Sequence, residues 1–509
     1  MPKSVRSLVS ILVVLGTQPL LAQITHVDSA GNVGRESSVT IGSDGLPLIS
    51  YVEYIGSTII RLKVAHCNDL ACSSPATKTT LDGDQVNFTS IALGGDGLGL
   101  VAYNNGGLKV AHCENVSCTI ATTTPLDSGV VYSPDLAIGG DGLGLISYFD
   151  SAEGYLKVAH CDNVACTSAT VTPLVVAPSS SGYASIAIGT DGFGLIAYQL
   201  HSGSPVADGT LKVAHCSNAN CTSAVSNTVD SFSQAGEYVG QYTAIAIGSD
   251  GFGLISYQYQ RTGNPEEIRV AHCSNADCSV SIKKTLESAP ETGVQTSIAI
   301  GSDGFGLVTY LHPGGANRDL RFARCSDLVC SAATFMTVDG PDNVGWFSSI
   351  AIGQDKLPII SYSDETNFDL KVAHCLDPHC DAEGPATGYY TIAPCRVLDT
   401  RNSNGPLGGP PLGAQTNRTF RVGSVCGIPS TAKSIAVNMA VTTPTTIGNL
   451  RLRPAGIPVP LIASINYGPG QTRTNNAIVP LSALGEFEAY CAQASGSVHF
   501  ILDVNGYFE

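Results

Sequence analysis

Short runs of alternating apolar and polar residues, separated by glycine-rich turns, recur along residues 38–380. The recurring unit reads S-I-A-I-G-x-D-G, then F-G-L-I-S-Y, then L-K-V-A-H-C-x-N-x-x-C. Ser297–Ile300 and Gly306–Tyr310 flank a Ser-Asp-Gly turn, which predicts a β-hairpin. Leu211–Cys216 and Thr167–Pro173 are examples of a third and a fourth strand. No helical periodicity accompanies them, so the pattern predicts an all-β fold with four antiparallel strands per unit.

The unit occurs seven times, at intervals of 52, 45, 50, 59, 53 and 52 residues. Periods of this size are typical of solenoids, propellers and arrays, and four short strands per unit favour a β-propeller. The turn aspartates are Asp44, Asp96, Asp141, Asp191, Asp250, Asp303 and Asp355. The sequence therefore predicts a seven-bladed β-propeller over 23–383, with repeats near 38–88, 89–133, 134–183, 184–242, 243–295, 296–347 and 348–383.

The last unit lacks its fourth strand. Earlier units end in a strand resembling Thr79–Asp82, whereas the chain after Cys380 runs into Glu383-Gly384-Pro385. A matching segment, Ile24–Ser29, stands at the other end of the repeats. We expect this N-terminal strand to complete the last blade, which closes the ring and removes exposed strand edges.

The first 22 residues read as a secretory signal peptide. Lys3 and Arg6 precede an apolar run, Leu8–Leu15, that is too short to span a bilayer, and cleavage can follow Ala22. A membrane anchor is the alternative. The 17 cysteines fit an oxidising compartment, so the expected location is secreted or at a bacterial cell surface, with no membrane insertion after cleavage.

Composition and net charge limit the classes of molecule that the protein can bind. Hydrophobic residues make up 43% of the chain and charged residues only 13%, which suits a turn-rich β protein with a large core. The net charge of -16 argues against nucleic acid and against anionic membranes. We expect no cofactor, and a glycan or a protein as ligand.

Fourteen cysteines form seven C-x4-C pairs, each bracketing the turn between the third and fourth strands. Cysteines that face each other across a tight hairpin can meet disulfide geometry. Metal binding is the alternative, because His precedes the first Cys in most repeats. The predicted disulfides are Cys67/Cys72, Cys113/Cys118, Cys161/Cys166, Cys216/Cys221, Cys273/Cys278, Cys325/Cys330 and Cys375/Cys380.

Two further residue types recur in the third strand. Histidine repeats at His66, His112, His160, His215, His272 and His374, with Arg324 in the sixth unit. Because arginine keeps the donor but loses the ligand nitrogen, the interpretation is a structural hydrogen bond to the turn aspartate. Basic residues repeat at Lys63, Lys109, Lys157, Lys212, Arg269, Arg321 and Lys371. Pairing with local carboxylates is expected, and a basic ring for an acidic ligand is the alternative.

Loop variation places a binding site on one face. The Asp-Gly turns and disulfide hairpins share a nearly constant face, whereas the loops between second and third strands vary from Asn104–Gly107 to Gln199–Thr210. Aromatic candidates on this variable face are Tyr54, Phe88, Tyr132, Phe149, Tyr155, Tyr183, Tyr238, Tyr259, Trp346 and Phe368. Acidic candidates are Glu153, Glu237, Asp342 and Asp364. Capping of the blades is the alternative role for the aromatic residues.

The repeat resembles propeller-like regions of secreted bacterial proteins, and its Ser-x-Asp-Gly turns loosely resemble the Asp-box turns of sialidase-type propellers. Leu, Ile or Val stands here at the aromatic position of the box. A sialidase needs an arginine cluster, yet no arginine lies between Arg61 and Arg261. No catalytic residue is predicted: G-x-S-x-G, H-E-x-x-H and P-loop motifs do not occur.

A different unit follows from about Gly388. It opens with P-C-R-V-L-D-T-R, at Pro394–Arg401, and ends with D-V-N-G-Y-F, at Asp503–Phe508. These ends resemble the C-terminal β-sandwich module of many secreted bacterial proteins, which implies a β-sandwich over 388–509 and surface attachment or glycan binding. Asp399 and Arg401 can form a buried ion pair, with a ligand site as the alternative. Of Cys395, Cys426 and Cys491, one pair is expected to bond.

The first functional hypothesis is a secreted, non-enzymatic binding or adhesion protein that holds a glycan or protein on the variable face. The alternatives are a carbohydrate-active hydrolase or lyase with a propeller active site, and a structural envelope or matrix component.

Overall fold

The computed structural model describes residues 21–509 except 57–58, 84, 178–181, 203–207, 232–236, 262, 291, 315–316, 379, 381–388, 431, 457–458, 461, 483 and 509. The chain divides into two compact units, Met1–Ala382 and Glu383–Glu509. All regular structure in the described ranges is β-strand, and no helix there is long and apolar enough to cross a membrane. Of the expected signal peptide, 1–20 lies outside these residues.

The first unit consists of repeated four-stranded antiparallel sheets, numbered here from the N-terminus. Sheets 1 to 4 contain β2 (Asn32–Ile41), β3 (Pro47–Ile55), β4 (Ile59–His66), β5 (Thr77–Asp82); β6 (Asn87–Leu93), β7 (Gly99–Asn104), β8 (Leu108–Cys113), β9 (Ala121–Asp127); β10 (Val131–Ile138), β11 (Gly144–Asp150), β12 (Tyr155–Cys161), β13 (Ala169–Val176); and β14 (Ala184–Ile188), β15 (Gly194–Ser202), β16 (Asp208–Cys216), β17 (Ala224–Asp230).

Sheets 5 and 6 repeat this order, and sheet 7 takes its fourth strand from the N-terminus. They contain β18 (Glu237–Ile247), β19 (Gly253–Arg261), β20 (Glu266–Cys273), β21 (Ser281–Ala289); β22 (Val294–Ile300), β23 (Gly306–Gly314), β24 (Asn317–Cys325), β25 (Ala333–Asp339); and β26 (Val344–Ile352), β27 (Pro358–Asp364), β28 (Asp369–Cys375) with β1 (Ala22–Asp28).

Burial within each sheet follows strand position. The second strands are almost wholly buried, as in β7 and β11, whereas fourth strands such as β5 alternate between half-buried and exposed. The first strands contact one another in a cycle that returns from β26 to β2. The hydrophobic clusters lie between neighbouring sheets, because each sheet buries one face against the next.

The N-terminal strand pairs with the end of the repeats, as the sequence pattern predicts. β1 is antiparallel to β28, with Ile24 opposite Ala373 and Thr25 opposite Val372. The strand begins two residues before the predicted segment, and Ala22 at its start is buried opposite Cys375. Sheet 7 is therefore built from both ends of the repeat region.

A buried or half-buried carboxylate joins most neighbouring sheets. Asp82, at the end of β5, accepts hydrogen bonds from Tyr103 at 2.8 Å and Lys109 at 3.1 Å in sheet 2. The other acids in this role are Asp28, Asp127, Asp230, Glu287 and Asp339. The basic residues of the third strand thus pair with the preceding sheet. At the junction of sheets 3 and 4, Val175 occupies the corresponding position opposite Leu156, and Tyr198 bonds Ser226 instead.

All seven C-x4-C pairs form disulfides, but the cysteines do not face each other across two strands as the sequence analysis expected. The bonded pairs are Cys67–Cys72, Cys113–Cys118, Cys161–Cys166, Cys216–Cys221, Cys273–Cys278, Cys325–Cys330 and Cys375–Cys380. The first cysteine of each pair ends the third strand or directly follows it. In sheet 2 the residue opposite Cys113 is Ala121, the first residue of the fourth strand, and not Cys118.

The expectation of a cross-strand pair was wrong because the second cysteine belongs to the turn that follows the third strand. The second cysteines all have a positive φ, between 48° and 54°: Cys72, Cys118, Cys166, Cys221, Cys278, Cys330 and Cys380. Each donates its backbone N–H to the carbonyl oxygen three residues earlier, as Cys118 does to Asn115 at 2.9 Å. This tight turn brings the two sulfur atoms together before the chain enters the fourth strand.

The disulfide content fits an oxidising compartment, and secretion itself stays a prediction.

The turn that contains the second cysteine also shortens the fourth strands at their start. In sheet 3 the expected strand Thr167–Pro173 begins only at Ala169, because Thr167 still bonds Asn163 within the turn.

The second unit has two antiparallel sheets that share one hydrophobic core. One sheet has the order β29-β37-β32-β35, with β30 beside β37, and the other has the order β31-β36-β33-β34. Their strands are β29 (Tyr389–Asp399), β30 (Leu412–Gly413), β31 (Asn417–Arg421), β32 (Ser434–Thr442), β33 (Gly448–Pro454), β34 (Ile465–Tyr467), β35 (Arg473–Pro480), β36 (Glu486–Gln493) and β37 (Ser497–Phe508). Cys395 bonds Cys426, which leaves Cys491 as a buried thiol.

Candidate functional site

The recurring histidines belong to the scaffold. Each donates its Nε2–H at 2.8 Å to Oδ2 of the turn aspartate in its own repeat, as His66 does to Asp44. Arg324 makes the same connection to Asp303, at 2.5 and 3.1 Å. In the described part of the chain, no group of three or more His, Cys, Asp or Glu is placed to hold a metal ion.

One cavity, of about 430 Å³, is lined by the first strands of all seven sheets. Most of its wall residues lie in or near the middle of these strands, between the strand start and the turn that carries the aspartate. One residue from each sheet stands at the same level of this wall: Glu36, Phe88, Ser133, Tyr183, Tyr242, Gln295 and Phe347. We call this set the cavity ring.

The backbone explains why the ring faces inward. Six of its seven residues, all but Tyr183, have φ between 47° and 54°. At these positions the pairing of the first strand with the second is interrupted, for instance between Arg35 and Ser38 and between Trp346 and Ser349. Such a bulge inserts an extra residue and re-aims its side chain. The repeat thus presents one variable side chain per sheet to a common cavity.

Glu36 is the carboxylic acid of the cavity ring. Protein surrounds its carboxyl group, although part of the residue remains accessible from the cavity. Burial raises the pKa of Glu36 to about 7, and the charge of Arg35 opposes this shift. Among the described residues, none donates a hydrogen bond to its carboxyl group. Glu36 can therefore hold or release a proton near neutral pH.

Asp135 is the second carboxylate of the cavity wall, and its oxygens are occupied. Its carboxylate accepts from Ser90 Oγ at 2.8 Å and from the backbone N–H groups of Leu136 and Ile186 at 3.0 and 2.8 Å. Burial raises its pKa, and these bonds oppose the shift. Asp135 thus ties the first strands of sheets 2, 3 and 4 together.

Aromatic rings form much of the remaining wall. Tyr183 and Tyr242 lie in contact, with ring centroids 4.3 Å apart and planes at 39°. Burial raises the pKa of Tyr183, as do Tyr242 and Glu36. With Phe88 and Phe347, the two tyrosines give the cavity apolar faces beside the carboxyl group of Glu36.

The predicted aromatic candidates separate into three groups. Phe88 and Tyr183 line the cavity. Tyr54, Tyr259 and Trp346 each lie against an arginine, with centroid distances of 5.2 Å to Arg35, 3.5 Å to Arg269 and 5.1 Å to Arg318. The others lie away from the cavity wall: Tyr132 packs edge-on against Phe88, Tyr238 packs on His201, Phe149 is buried between sheets 3 and 4, Tyr155 is half-buried in β12, and Phe368 is exposed.

The acidic candidates are equally dispersed. Glu153 is exposed and pairs with Lys157 at 2.8 Å, whereas Glu237 and Asp364 are buried. Asp364 accepts from Asn367 at 2.9 Å and from the backbone of Thr366, and Asp342 is exposed. None of the four lines the cavity.

Sequence reasoning did not single out Glu36, Ser133, Tyr242, Gln295 or Phe347. The available signal was their column in the repeat, two residues before the serine, alanine or aspartate that opens the S-I-A-I pattern. That column contains Glu, Phe, Ser, Tyr, Tyr, Gln and Phe, and its variation contrasts with the constant residues that follow.

In the second unit, Arg401 and Asp399 form a bidentate ion pair. Arg401 donates from Nε to Oδ1 of Asp399 at 2.9 Å and from Nη2 to Oδ2 at 2.6 Å. Asp399 is buried, but about half of the Arg401 side chain is exposed. The pair is therefore buried only on its acidic side. Arg401 and the backbone lower the pKa of Asp399 to about 2.

Comparison with known proteins gives fold-level similarity. No family profile and no curated protein sequence matches the chain. A protein of unknown function from Dyadobacter fermentans aligns over 69% of this chain and 97% of its own, at 11% identity and a TM-score of 0.43. A polysaccharide lyase, an ulvan lyase, aligns over 68% of this chain and 95% of its own, at 9% identity and a TM-score of 0.47. An exo-β-1,3-galactanase from Phanerochaete chrysosporium aligns over 74% of this chain and 96% of its own, at 10% identity and a TM-score of 0.32.

These structures correct one expectation from the sequence. Several of the similar structures are carbohydrate-active enzymes, including family-43 glycoside hydrolases and the ulvan lyase, so the first hypothesis of a non-enzymatic binding or adhesion protein was wrong, as was the preference for no enzyme. The alternative of a hydrolase or lyase fits better. At such identities the similarity concerns the type of fold, and any assignment of chemistry has to rest on the cavity.

Proposed function

We propose that this chain is a secreted carbohydrate-active enzyme, a hydrolase or lyase, that cleaves a glycosidic bond in the cavity of its first unit. The first unit is a closed seven-bladed β-propeller, the second is a β-sandwich, and residues 1–22 direct export. The observation that carries the proposal is Glu36, a carboxyl group without a hydrogen-bond donor among the described residues, enclosed in a cavity with aromatic walls.

The chemistry of glycoside cleavage suits this arrangement. The departing oxygen must gain a proton, and an acid with a pKa near the working pH transfers it most effectively. A carboxylic acid acquires such a pKa when protein displaces the water around it, as burial does for Glu36. Glu36 is therefore the proposed proton-transferring residue.

The aromatic rings supply the binding surface. Sugar rings carry C–H groups on their faces and hydroxyls at their edges, so they stack on flat side chains while their edges hydrogen-bond. Phe88, Tyr183, Tyr242 and Phe347 offer the flat faces. Gln295 and Ser133 offer polar groups at the same level, and Tyr54, Tyr132 and Trp346 extend the aromatic surface beyond the ring.

Hydrolysis and elimination make different demands. Hydrolysis by the common route uses two carboxyl groups about 5–10 Å apart. Asp135 is the other carboxylate of the wall, but its hydrogen bonds hold it in place between sheets. Elimination requires a uronic acid in the substrate and a base that removes the proton next to its carboxylate, for which the ionised form of Glu36 is the candidate. Tyr183, whose raised pKa keeps its hydroxyl protonated, is then the candidate donor to the departing oxygen.

The test is product analysis with the full chain. Neutral and uronate-containing polysaccharides are incubated with the protein in heavy-oxygen water. Hydrolysis places the heavy oxygen in a new reducing end, whereas elimination produces an unsaturated sugar that absorbs ultraviolet light. Glu36→Gln should lower the rate by about 100- to 10,000-fold.

Glu114→Gln is the matched control, because Glu114 is an exposed carboxylate of a disulfide hairpin and lies outside the cavity. Its rate should equal that of the original protein. Absence of cleavage of every polysaccharide, or full activity in Glu36→Gln, would reject the proposed function.

A further inference from the structure

Arg35 precedes the proposed proton-transferring residue in the chain but is bonded elsewhere. Its Nε donates to Oε1 of Glu365 at 2.8 Å, and its Nη2 donates to Oε2 of the same carboxylate. Glu365 follows β27 and belongs to sheet 7, whereas Arg35 lies in β2 of sheet 1. Two parallel bonds of this kind fix a guanidinium group in orientation as well as in position.

Glu365 is itself fixed. Ser363 Oγ donates to its Oε1 at 3.0 Å, and its backbone N–H donates to the carbonyl oxygen of Asn343 at 2.9 Å. On the other side, the Arg35 guanidinium lies 5.2 Å from the ring centroid of Tyr54. The cation is thus held between a carboxylate and a ring, both outside the cavity lining.

The groups that act on Glu36 are few. Arg35 stabilises its charged form from a distance, and Tyr54 and Tyr183 are the titratable side chains whose own acidity responds to Glu36. Arg35 is therefore the cation that acts on the ionisation of Glu36, although its hydrogen bonds go to Glu365.

We propose that Glu365 is a positioning residue, which holds the Arg35 guanidinium away from the neighbouring Glu36 carboxyl group and so leaves Glu36 able to carry a proton. This inference rests on the proposed function, because it assumes that Glu36 needs its proton for the reaction. Glu365 acts through Arg35 and does not line the cavity.

The physical reason is competition between two carboxylates for one cation. Removing the charge of Glu365 frees the guanidinium, and the adjacent Glu36 becomes the carboxylate available to it. An opposite charge within hydrogen-bond distance favours the ionised acid and lowers its pKa by about 1–3 units. Glu36 would then be ionised at neutral pH and unable to donate.

The experiment measures Glu36 directly in the full chain. The side-chain carboxyl groups of glutamate are labelled with carbon-13, and the Glu36 signal is assigned by its loss in Glu36→Gln. In Glu365→Gln, the titration midpoint of Glu36 should fall by about one unit or more. On any polysaccharide that the protein cleaves, the alkaline limb of the pH–rate profile should move to lower pH by the same amount.

Two variants provide controls. Glu53→Gln removes an acid of the same sheet that pairs with Lys63 at 3.6 Å and with Arg61 at 4.0 Å, and it should leave the Glu36 titration unchanged. Replacing Arg35 as well, in Arg35→Gln/Glu365→Gln, should restore the higher midpoint, because the competing cation is gone.

An unchanged Glu36 midpoint in folded Glu365→Gln would overturn the positioning role, and so would a double variant that stays at the lowered midpoint. If the midpoint shifts as expected but no variant cleaves any polysaccharide, the positioning role stands and the proposed function fails.

Discussion

The hydroxyl group of Tyr51 donates a 2.7 Å hydrogen bond to the carboxylate of Asp28, across the junction between the last and the first sheet of the repeat unit. Lys63 and Lys78 donate to the same carboxylate at 2.7 and 2.9 Å. Asp28 belongs to the N-terminal strand, which pairs along its length with β28. One buried acid therefore connects the strand that completes sheet 7 to sheet 1.

Asp28→Ala should destabilise the first unit strongly. The substitution leaves the largely buried ammonium group of Lys63 without its nearest anion, and removing one partner of a buried ion pair costs about 3–5 kcal/mol. The measurement is chemical unfolding followed by tryptophan fluorescence, since the single tryptophan, Trp346, lies in sheet 7. Asp162→Ala, at an exposed hairpin position, should change the free energy by less than about 0.5 kcal/mol. Equal effects of the two substitutions would contradict the role of Asp28.

The junction acids also set an acid limit to stability. Burial acts to raise the pKa of Asp28, but hydrogen bonds from Lys63, Lys78 and Tyr51 outweigh it, and the pKa falls below 3.8. Asp82 and Asp127 are lowered in the same way. Because the unfolded chain then binds more protons than the folded chain, their contribution is complete above about pH 4 and is lost as the pH falls through the folded pKa. Unfolding free energies measured between pH 3 and pH 6 should decrease on acidification, and less steeply in Asp28→Asn.

The repeat allowed much of the scaffold to be predicted. Seven copies of one pattern average out local ambiguity, so strand order, the identity of the disulfide pairs and the contacts of His66 with Asp44 and of Arg324 with Asp303 all follow from comparing units. The same comparison located the strand at Ile24–Ser29, because a missing element must be supplied from elsewhere. The place of the second cysteines in a turn did not follow, since spacing alone does not distinguish a turn from a strand pair.

The cavity was harder to predict, because its residues are those that do not repeat. Glu36 stands in a column where the other units have Phe, Ser, Tyr or Gln. In the sequence, such a variable column cannot be distinguished from the ordinary variation of surface loops. Their inward direction depends on a positive φ, which no side-chain type in that column requires. Phe149 shows the opposite error: an aromatic residue near a variable loop is buried between sheets.

Arg324 should be replaceable by histidine. The other six units bond the turn aspartate with histidine at the same place, so Arg324→His retains a donor to Asp303 and should change the unfolding free energy by less than about 0.5 kcal/mol. Arg324→Ala removes the donor and should cost about 1 kcal/mol or more. Thermal unfolding of the two variants decides the matter, and equal losses would show that the contact is incidental.

One thiol should be hidden. Mass spectrometry of non-reduced peptides should find the seven local links and the link between Cys395 and Cys426. Cys491 is buried, and burial raises the pKa of its thiol, so alkylating reagents should modify it only after denaturation. Labelling of one thiol per chain in the native protein would place Cys491 elsewhere than in the core.

Phe347 should contribute to substrate binding more than to the chemical step. Its ring lies in the cavity wall, and Phe347→Ala removes one aromatic contact at a cost of about 1 kcal/mol, which corresponds to roughly a fivefold rise in KM with kcat nearly unchanged. Phe305→Ala is the control and should leave KM unchanged, because Phe305 lies on the turn between β22 and β23 and does not line the cavity. A fall in kcat without a change in KM would assign Phe347 to another role.

The bulges of the first strands have a consequence for how such a protein can change. Because the positive φ at six of the seven ring positions comes from the strand pairing and not from the side chain, these positions accept different residues without disturbing the cysteine hairpins or the junction acids. A single codon change in one repeat can therefore alter one side of the cavity while six others stay as they were. The architecture offers seven variable positions around one shared space, coupled only where neighbours touch, as Tyr183 and Tyr242 do. New substrate preferences are therefore accessible by small steps from an unchanged frame.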